Sequence, residues 1–208
     1  MPGITAENTN VDGTIRCVSA IDGSGGLAGW VLVGGASTRM GRDKALIDFG
    51  GRPLALVAAE ALGAVCHSVS LVGDPERYQI LGLPVVSDRS RGSGPLSGIE
   101  AALGATCSDW NLIAACDMPS LDSALLRQLA ESAANDAAIP RYPDGRIEPL
   151  CALYHRRSHA AAAAALAAGA RRVSDFIARL TVRYIEVADS RPFLNLNTPE
   201  DLENYRRG

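Results

Sequence analysis

Residues 32–44, read as LVGGASTRMGRDK, combine an apolar lead-in, paired glycines, hydroxyls and separated cations within one short segment. The apolar run Trp30-Val31-Leu32-Val33 stops at Gly34-Gly35. Glycine turns without steric cost and lets main-chain N–H groups approach a ligand with no Cβ in the way, which is how a chain cradles oxyanions. Ser37 adds a hydroxyl, and Arg39 and Lys44 add permanent positive charge, as the dense negative charge of a triphosphate requires. The segment therefore reads as a nucleotide-phosphate loop. Leu32, Val33, Gly34, Gly35, Ser37 and Lys44 would lie against the nucleotide, and Arg39 and Lys44 would carry the catalytic charge. An ordinary glycine-rich turn with solvated basic residues is the competing reading.

Two better-known phosphate motifs do not fit. A Walker A loop places its lysine after glycine and before Ser or Thr, whereas Asp43 precedes Lys44 and Ala45 follows it. A dinucleotide fingerprint needs three glycines at fixed spacing, which Gly34, Gly35 and Gly41 do not keep.

Something must hold these residues in place. Residues 1–26 are polar and without periodicity and read as a flexible leader, leaving 27–208 as a single folded domain. From Leu27 apolar strands alternate with helical patterns. Helices are predicted over 53–64, 76–81, 95–103, 122–133, 156–168 and 173–180, and after Thr198. Strands are predicted over 69–72, 85–86, 112–115, 137–140, 148–154 and 182–187. Such alternation means an α/β fold, a doubly wound and mainly parallel sheet with helices on both faces.

In such a sheet, ligands bind beyond the carboxyl ends of the strands where the strand order reverses. Gly34, Asp88 and Asp117 each follow a predicted strand and so converge on one edge. Asp117 ends the most hydrophobic strand, where a carboxylate is costly unless paired or holding a cation. Mg²⁺ suits it, since that ion takes one or two carboxylates and completes its shell with water and phosphate oxygens. The alternative makes Asp117 a cap of the helix beginning near Leu121. Asp88 speaks to the base. A carboxylate only accepts hydrogen bonds, guanine offers N1–H and N2–H₂ side by side, and cytosine presents acceptors at N3 and O2. Asp88 thus favours guanine, unless it merely pairs with Arg89 or Arg91 in a surface turn.

The loop resembles the signature L-A-G-G-x-S-x-R-M-G-x-D-K of the molybdopterin nucleotidyltransferases, most closely that of the molybdenum cofactor guanylyltransferases, with Val33 in place of the usual alanine. Further matches follow in order. Asp88 with Gly94-Pro95-Leu96-Ser97-Gly98 resembles the family's D-x(n)-G-P-L-x-G segment, and Cys116-Asp117-Met118-Pro119 its C-D-M-P metal site. Glu148-Pro149-Leu150 resembles its E-P-L strand and residues 195–199 its closing N-x-N-T-P. Ordered motifs covering roughly residue 29 to the end are far more specific than any one of them.

The resemblance implies a Mg²⁺-dependent guanylyltransferase of Rossmann-like nucleotidyltransferase fold. GTP would contact the loop, Asp88, Gly94, Pro95, Leu96 and Asp117, with Asp117 as the metal ligand. Molybdopterin, with or without its molybdenum, would be the acceptor near Asn195 and Asn197, and molybdoenzymes or their chaperones would receive the product. The two asparagines alternate along an extended segment, so their amides can share a face; capping of the terminal helix by Asn197 or Thr198 is the other reading. A cytidylyltransferase acting on molybdopterin or an isoprenoid precursor, and a non-catalytic nucleotide-binding regulatory domain, are the rival functions.

Composition is compatible. The 208 residues carry 20 Lys plus Arg against 23 Asp plus Glu, and a net charge of -3 offers no general attraction to nucleic acid. No apolar stretch is long enough to cross a bilayer, and no secretory signal is visible at the start. Five cysteines without a C-x-x-C pair predict reduced thiols and a cytoplasmic protein, with Cys116 packing at a strand end.

Overall fold

The computed structural model describes residues 26–34, 43–88, 94–196, 200, 201 and 205. The predicted leader, apart from Gly26, lies outside the described residues, as do Gly35, Ser37, Arg39, Arg89, Arg91, Asn197 and Thr198.

Strand β1 is Leu27–Leu32, buried from Ala28 onward. A short hairpin of β2 (Asp48–Phe49) and β3 (Arg52–Pro53), which no periodicity announces, leads into helix α1 (Leu54–Gly63). There follow β4 (Ser68–Gly73), α2 (Pro75–Tyr78), β5 (Val85–Ser87), α3 (Pro95–Ala105), β6 (Trp110–Ala115) and α4 (Ser123–Glu131). The remainder comprises β7 (Ala137–Arg141), β8 (Cys151–His155), α5 (His159–Ala167), α6 (Val173–Ile177) and β9 (Val182–Glu186). The predicted strand over 148–154 begins only at Cys151. Residues 148–150 form a turn instead, because the Glu148 N–H bonds the Pro140 carbonyl and its own carbonyl takes the Cys151 N–H, closing a bend.

Seven strands make one sheet in the order β5-β4-β1-β6-β8-β7-β9. β5, β4, β1 and β6 run parallel, whereas β8 runs antiparallel to both neighbours and β9 parallel to β7. Side chains alternate between two cores, as a sheet covered on both faces demands. Val31, Leu112 and Ala114 join α1 and α4 on one face. Trp30, Leu32 and Ile113 join α3, α5 and α6 on the other. Polar atoms in this interior are matched: the Trp30 indole N–H donates to Asn111 Oδ1 at 2.9 Å.

Among the described residues no helix is long and apolar enough to cross a membrane. Cys66, Cys116 and Cys151 are free and buried. Cys107 lies half-buried in the segment after α3.

Candidate active site

The chain leaves β1 in one direction through α1 to β4 and β5, and β6 then takes the place on the other side of β1. Strand order therefore reverses between β1 and β6, whose ends are in register at Leu32 and Ala115. The Cys116 N–H donates to the Leu32 carbonyl at 3.2 Å, so Gly34 and Asp117 emerge as neighbours from segments distant in sequence. A crevice is expected at this point of a doubly wound sheet. A cleft of about 420 Å³ opens there.

Of the predicted residues, Leu32, Val33, Gly34, Lys44, Asp88, Gly94, Pro95, Asp117 and Asn195 all line this cleft. Leu96 does not; it is fully buried on the inner face of α3, where it anchors the helix whose first residues face the cleft. Gly34 stands exposed at the rim. A Cβ there would meet nothing nearer than backbone atoms at 4.0 Å, so the glycine leaves room for a ligand and relieves no local crowding.

Lys44 opens a single 3-10 turn, Lys44–Leu46, whose N-cap Asp43 accepts the Ala45 N–H at 3.1 Å. The turn sends the Lys44 ammonium to 3.3 Å from Asp117 Oδ2, with the two side chains only 20% and 19% exposed. The helix-cap alternative for Asp117 falls away because Asp122 caps α4, taking the Leu125 N–H at 2.8 Å. Asp117 instead faces the Lys44 ammonium inside the cleft. Cys116 beside it is buried, and desolvation, then Asp117 and Asp43, push its thiol well up, so it packs as an inert thiol.

Toward β5, Asp88 and the start of α3 form one end of the cleft. The buried Ser97 hydroxyl lies 2.7 Å from Asp88 Oδ2 and 2.8 Å from the Gly94 carbonyl, tying the carboxylate to the helix that follows. Gly94 adopts φ +79°, and a Cβ on it would stand 2.9 Å from the Arg171 carbonyl, so only glycine fits. Arg171 and Arg172 are exposed and do not line the cleft.

At the opposite end stand Glu148, Pro149, Leu150 and Asn195. The turn at 148–150 is held by the Ala115 N–H, which donates to the Leu150 carbonyl at 2.8 Å. Asn195 is carried in by a bond from the Leu196 N–H to the Asp117 carbonyl at 2.9 Å, with Leu196 itself buried. These two segments touch: the Tyr142 and Phe193 rings meet edge to face with centroids 5.8 Å apart. Glu148 is half-buried. Desolvation pushes its carboxyl above the usual range and Asp117 pushes the same way, against the Tyr142 hydroxyl and Arg146. Tyr142 in turn is pushed up to about 12 by burial and by Glu148. The sequence signalled Glu148, Gly98 and Met118 only through their places in the family motifs, and Val72 gave no signal as a cleft residue because it belongs to a core strand pattern.

Residues 29–184 match the family model of the MobA-like NTP transferase domain. The chain belongs to this family. It is 37% identical over 188 residues to a molybdenum cofactor guanylyltransferase of Syntrophotalea carbinolica, covering 85% of this chain and 89% of that one. A molybdenum cofactor guanylyltransferase of Cereibacter sphaeroides is 40% identical over 182 residues, covering 85% and 93%. Among solved structures, molybdopterin-guanine dinucleotide biosynthesis protein A from Archaeoglobus fulgidus superposes with a TM-score of 0.74 at 29% identity, covering 86% of this chain and 97% of that one. The matched span runs from β1 through the 148–150 turn and stops short of Asn195.

Proposed function

We propose that this MobA-like chain transfers GMP from GTP to the terminal phosphate of molybdopterin, releasing pyrophosphate and forming the guanine dinucleotide of the cofactor. The observation that carries the reading is the approach of Lys44 to Asp117 at the sheet's switch point, between an acceptor-rich end at Asp88 and a separate polar end at Glu148 and Asn195. A cleft with a charged middle and two distinct ends suits a donor nucleotide and a second substrate joined across a phosphate. The guanylyltransferase names of the relatives support the same donor and acceptor.

In this reading the triphosphate lies along Gly34 with Lys44 against its oxygens, and guanine presents its N1–H and N2–H₂ to Asp88. An oxygen of the molybdopterin phosphate forms a bond to the α-phosphorus while the bond from that phosphorus to the β-bridging oxygen breaks, and the electron pair leaves with pyrophosphate. No protein nucleophile is needed. The chain's work is alignment and charge stabilisation, as in phosphoryl transfer generally. Lys44 and Arg39 offset the charge that grows on the phosphate oxygens. Asp117 would hold Mg²⁺, since that ion takes one or two carboxylates and completes its shell with water and phosphate oxygens. When bound, that ion neutralises phosphate charge.

The test is pyrophosphate release from purified protein with Mg²⁺, molybdopterin and each nucleoside triphosphate in turn. Release with GTP alone, abolished by chelation and dependent on molybdopterin, is the expected result. Equal release from CTP would remove the guanine assignment, and none from GTP would remove the activity.

A further inference from the structure

The segment between β1 and Lys44 begins and ends on one tyrosine. The Tyr78 hydroxyl lies 2.7 Å from the Val33 carbonyl and 2.8 Å from Asp43 Oδ2. Val33 immediately precedes Gly34 of the cleft, and Asp43 immediately precedes Lys44. One hydroxyl, its single proton shared between two acceptors, therefore joins Val33 to Asp43 from outside the cleft. Asp43 is held further, since Arg77 reaches Oδ2 at 3.0 Å while Oδ1 starts the turn that aims Lys44.

The arrangement is built in. Tyr78 is only 2% exposed, and its ring lies against Gly73 at the end of β4. A Cβ at Gly73 would stand 2.7 Å from Val33 Cγ2 and 2.8 Å from Tyr78 Cε2, so the glycine makes the space in which ring and strand end meet. Burial, then the Asp43 carboxylate, raise the phenol above its ordinary range against the pull of Arg77, so the hydroxyl keeps its proton to donate.

We propose that Tyr78 is a positioning residue for GMP transfer: by tying the Val33 carbonyl to the Asp43 carboxylate it fixes where Lys44 meets the nucleotide phosphates. It touches no substrate and acts through Lys44. This rests on the transfer proposed above. Misplacement of a charge by about 1 Å is enough to cost about a hundredfold in rate.

The test is Tyr78→Phe, which keeps the ring and removes the tie, measured with Lys44→Ala and the double variant. GTP binding with Mg²⁺, by equilibrium dialysis without acceptor, and turnover with molybdopterin are read separately, alongside thermal melting. The expected result is a fall in kcat of about ten- to a hundredfold and weaker GTP binding, with the KM for molybdopterin unchanged. Little further loss is expected when Lys44 is already Ala, because the two residues act as one unit. The same fold-loss in both backgrounds, or no loss in a folded Tyr78→Phe protein, overturns the proposal. If Tyr78→Phe melts below the assay temperature, Asp43→Asn keeps an oxygen for the Ala45 N–H and puts an amide nitrogen, which cannot accept the Tyr78 proton, in the other position; the same Lys44-dependent loss is expected and its absence is decisive. Wild-type protein that binds GTP yet releases no pyrophosphate would sink the transfer, and the tie would then be judged on GTP binding alone.

Discussion

The two ends of the cleft are made of different material. At the Asp88 end, regular elements deliver every residue: β1 and β5 finish at Leu32 and Ser87, α3 starts at Pro95, and short bonds from Ser97 and Tyr78 lock the junctions. At the Glu148 end, a turn and an irregular segment meet through an aromatic contact and single backbone bonds to β6 and the Asp117 loop. A triphosphate needs fixed amides and charges, and strand ends and helix starts supply them. The second end is assembled from loops, one tied to β6 at Ala115 and the other to Asp117 just beyond it.

The comparison breaks most readily at the centre. Lys44→Ala should lower turnover by about a hundred- to a thousandfold with melting almost unchanged, the cost of removing one preorganised charge. Pre-steady-state pyrophosphate release checks it, and wild-type rates would take Lys44 out of the chemistry.

The two ends should then separate kinetically. Asp88→Ala is expected to erode the preference for GTP over CTP by about ten- to a hundredfold, the worth of a paired base contact. Asn195→Ala should leave that preference alone and raise the KM for molybdopterin by about two- to tenfold, as loss of one hydrogen bond would. A change in nucleotide preference from Asn195→Ala would mean that the ends are not independent.

The smallest effect concerns stability. Glu148 has its carboxyl raised in the folded chain, chiefly by desolvation, so the folded state holds this proton more tightly than the unfolded one. Its contribution is fully present below the ordinary carboxylate range and is lost as pH rises through the raised value. Glu148→Gln removes that loss while retaining an acceptor for Tyr142. The variant should therefore melt above the parent near neutrality, with the gap closing in acid, and a gap of constant size across the titration would contradict the shift.

Much of the first end could be read from the chain because its signals are local. The glycines after an apolar run, and Asp88 and Asp117 at predicted strand ends, place themselves once the sheet is parallel. The pairing of Lys44 with Asp117 follows from the same topology. The second end resisted because its placement depends on long-range bonds. Residues 148–150 carry an apolar pattern that reads as strand, yet the Glu148 N–H is claimed by Pro140, and no property of Asn195 tells that Leu196 will bond the Asp117 carbonyl. Tyr78 was hidden for a third reason: it looks like an aromatic in a short helix until its hydroxyl is seen between two loop roots.

One reversed strand has a consequence beyond the present substrates. Because β8 runs against its neighbours, residues 142–150 arrive at the cleft on a simple hairpin from β7, with no helical crossover to accommodate. Insertions or exchanges in that hairpin leave α1 and α3 undisturbed, so a lineage can retool what accepts the nucleotide while keeping the machinery that grips it.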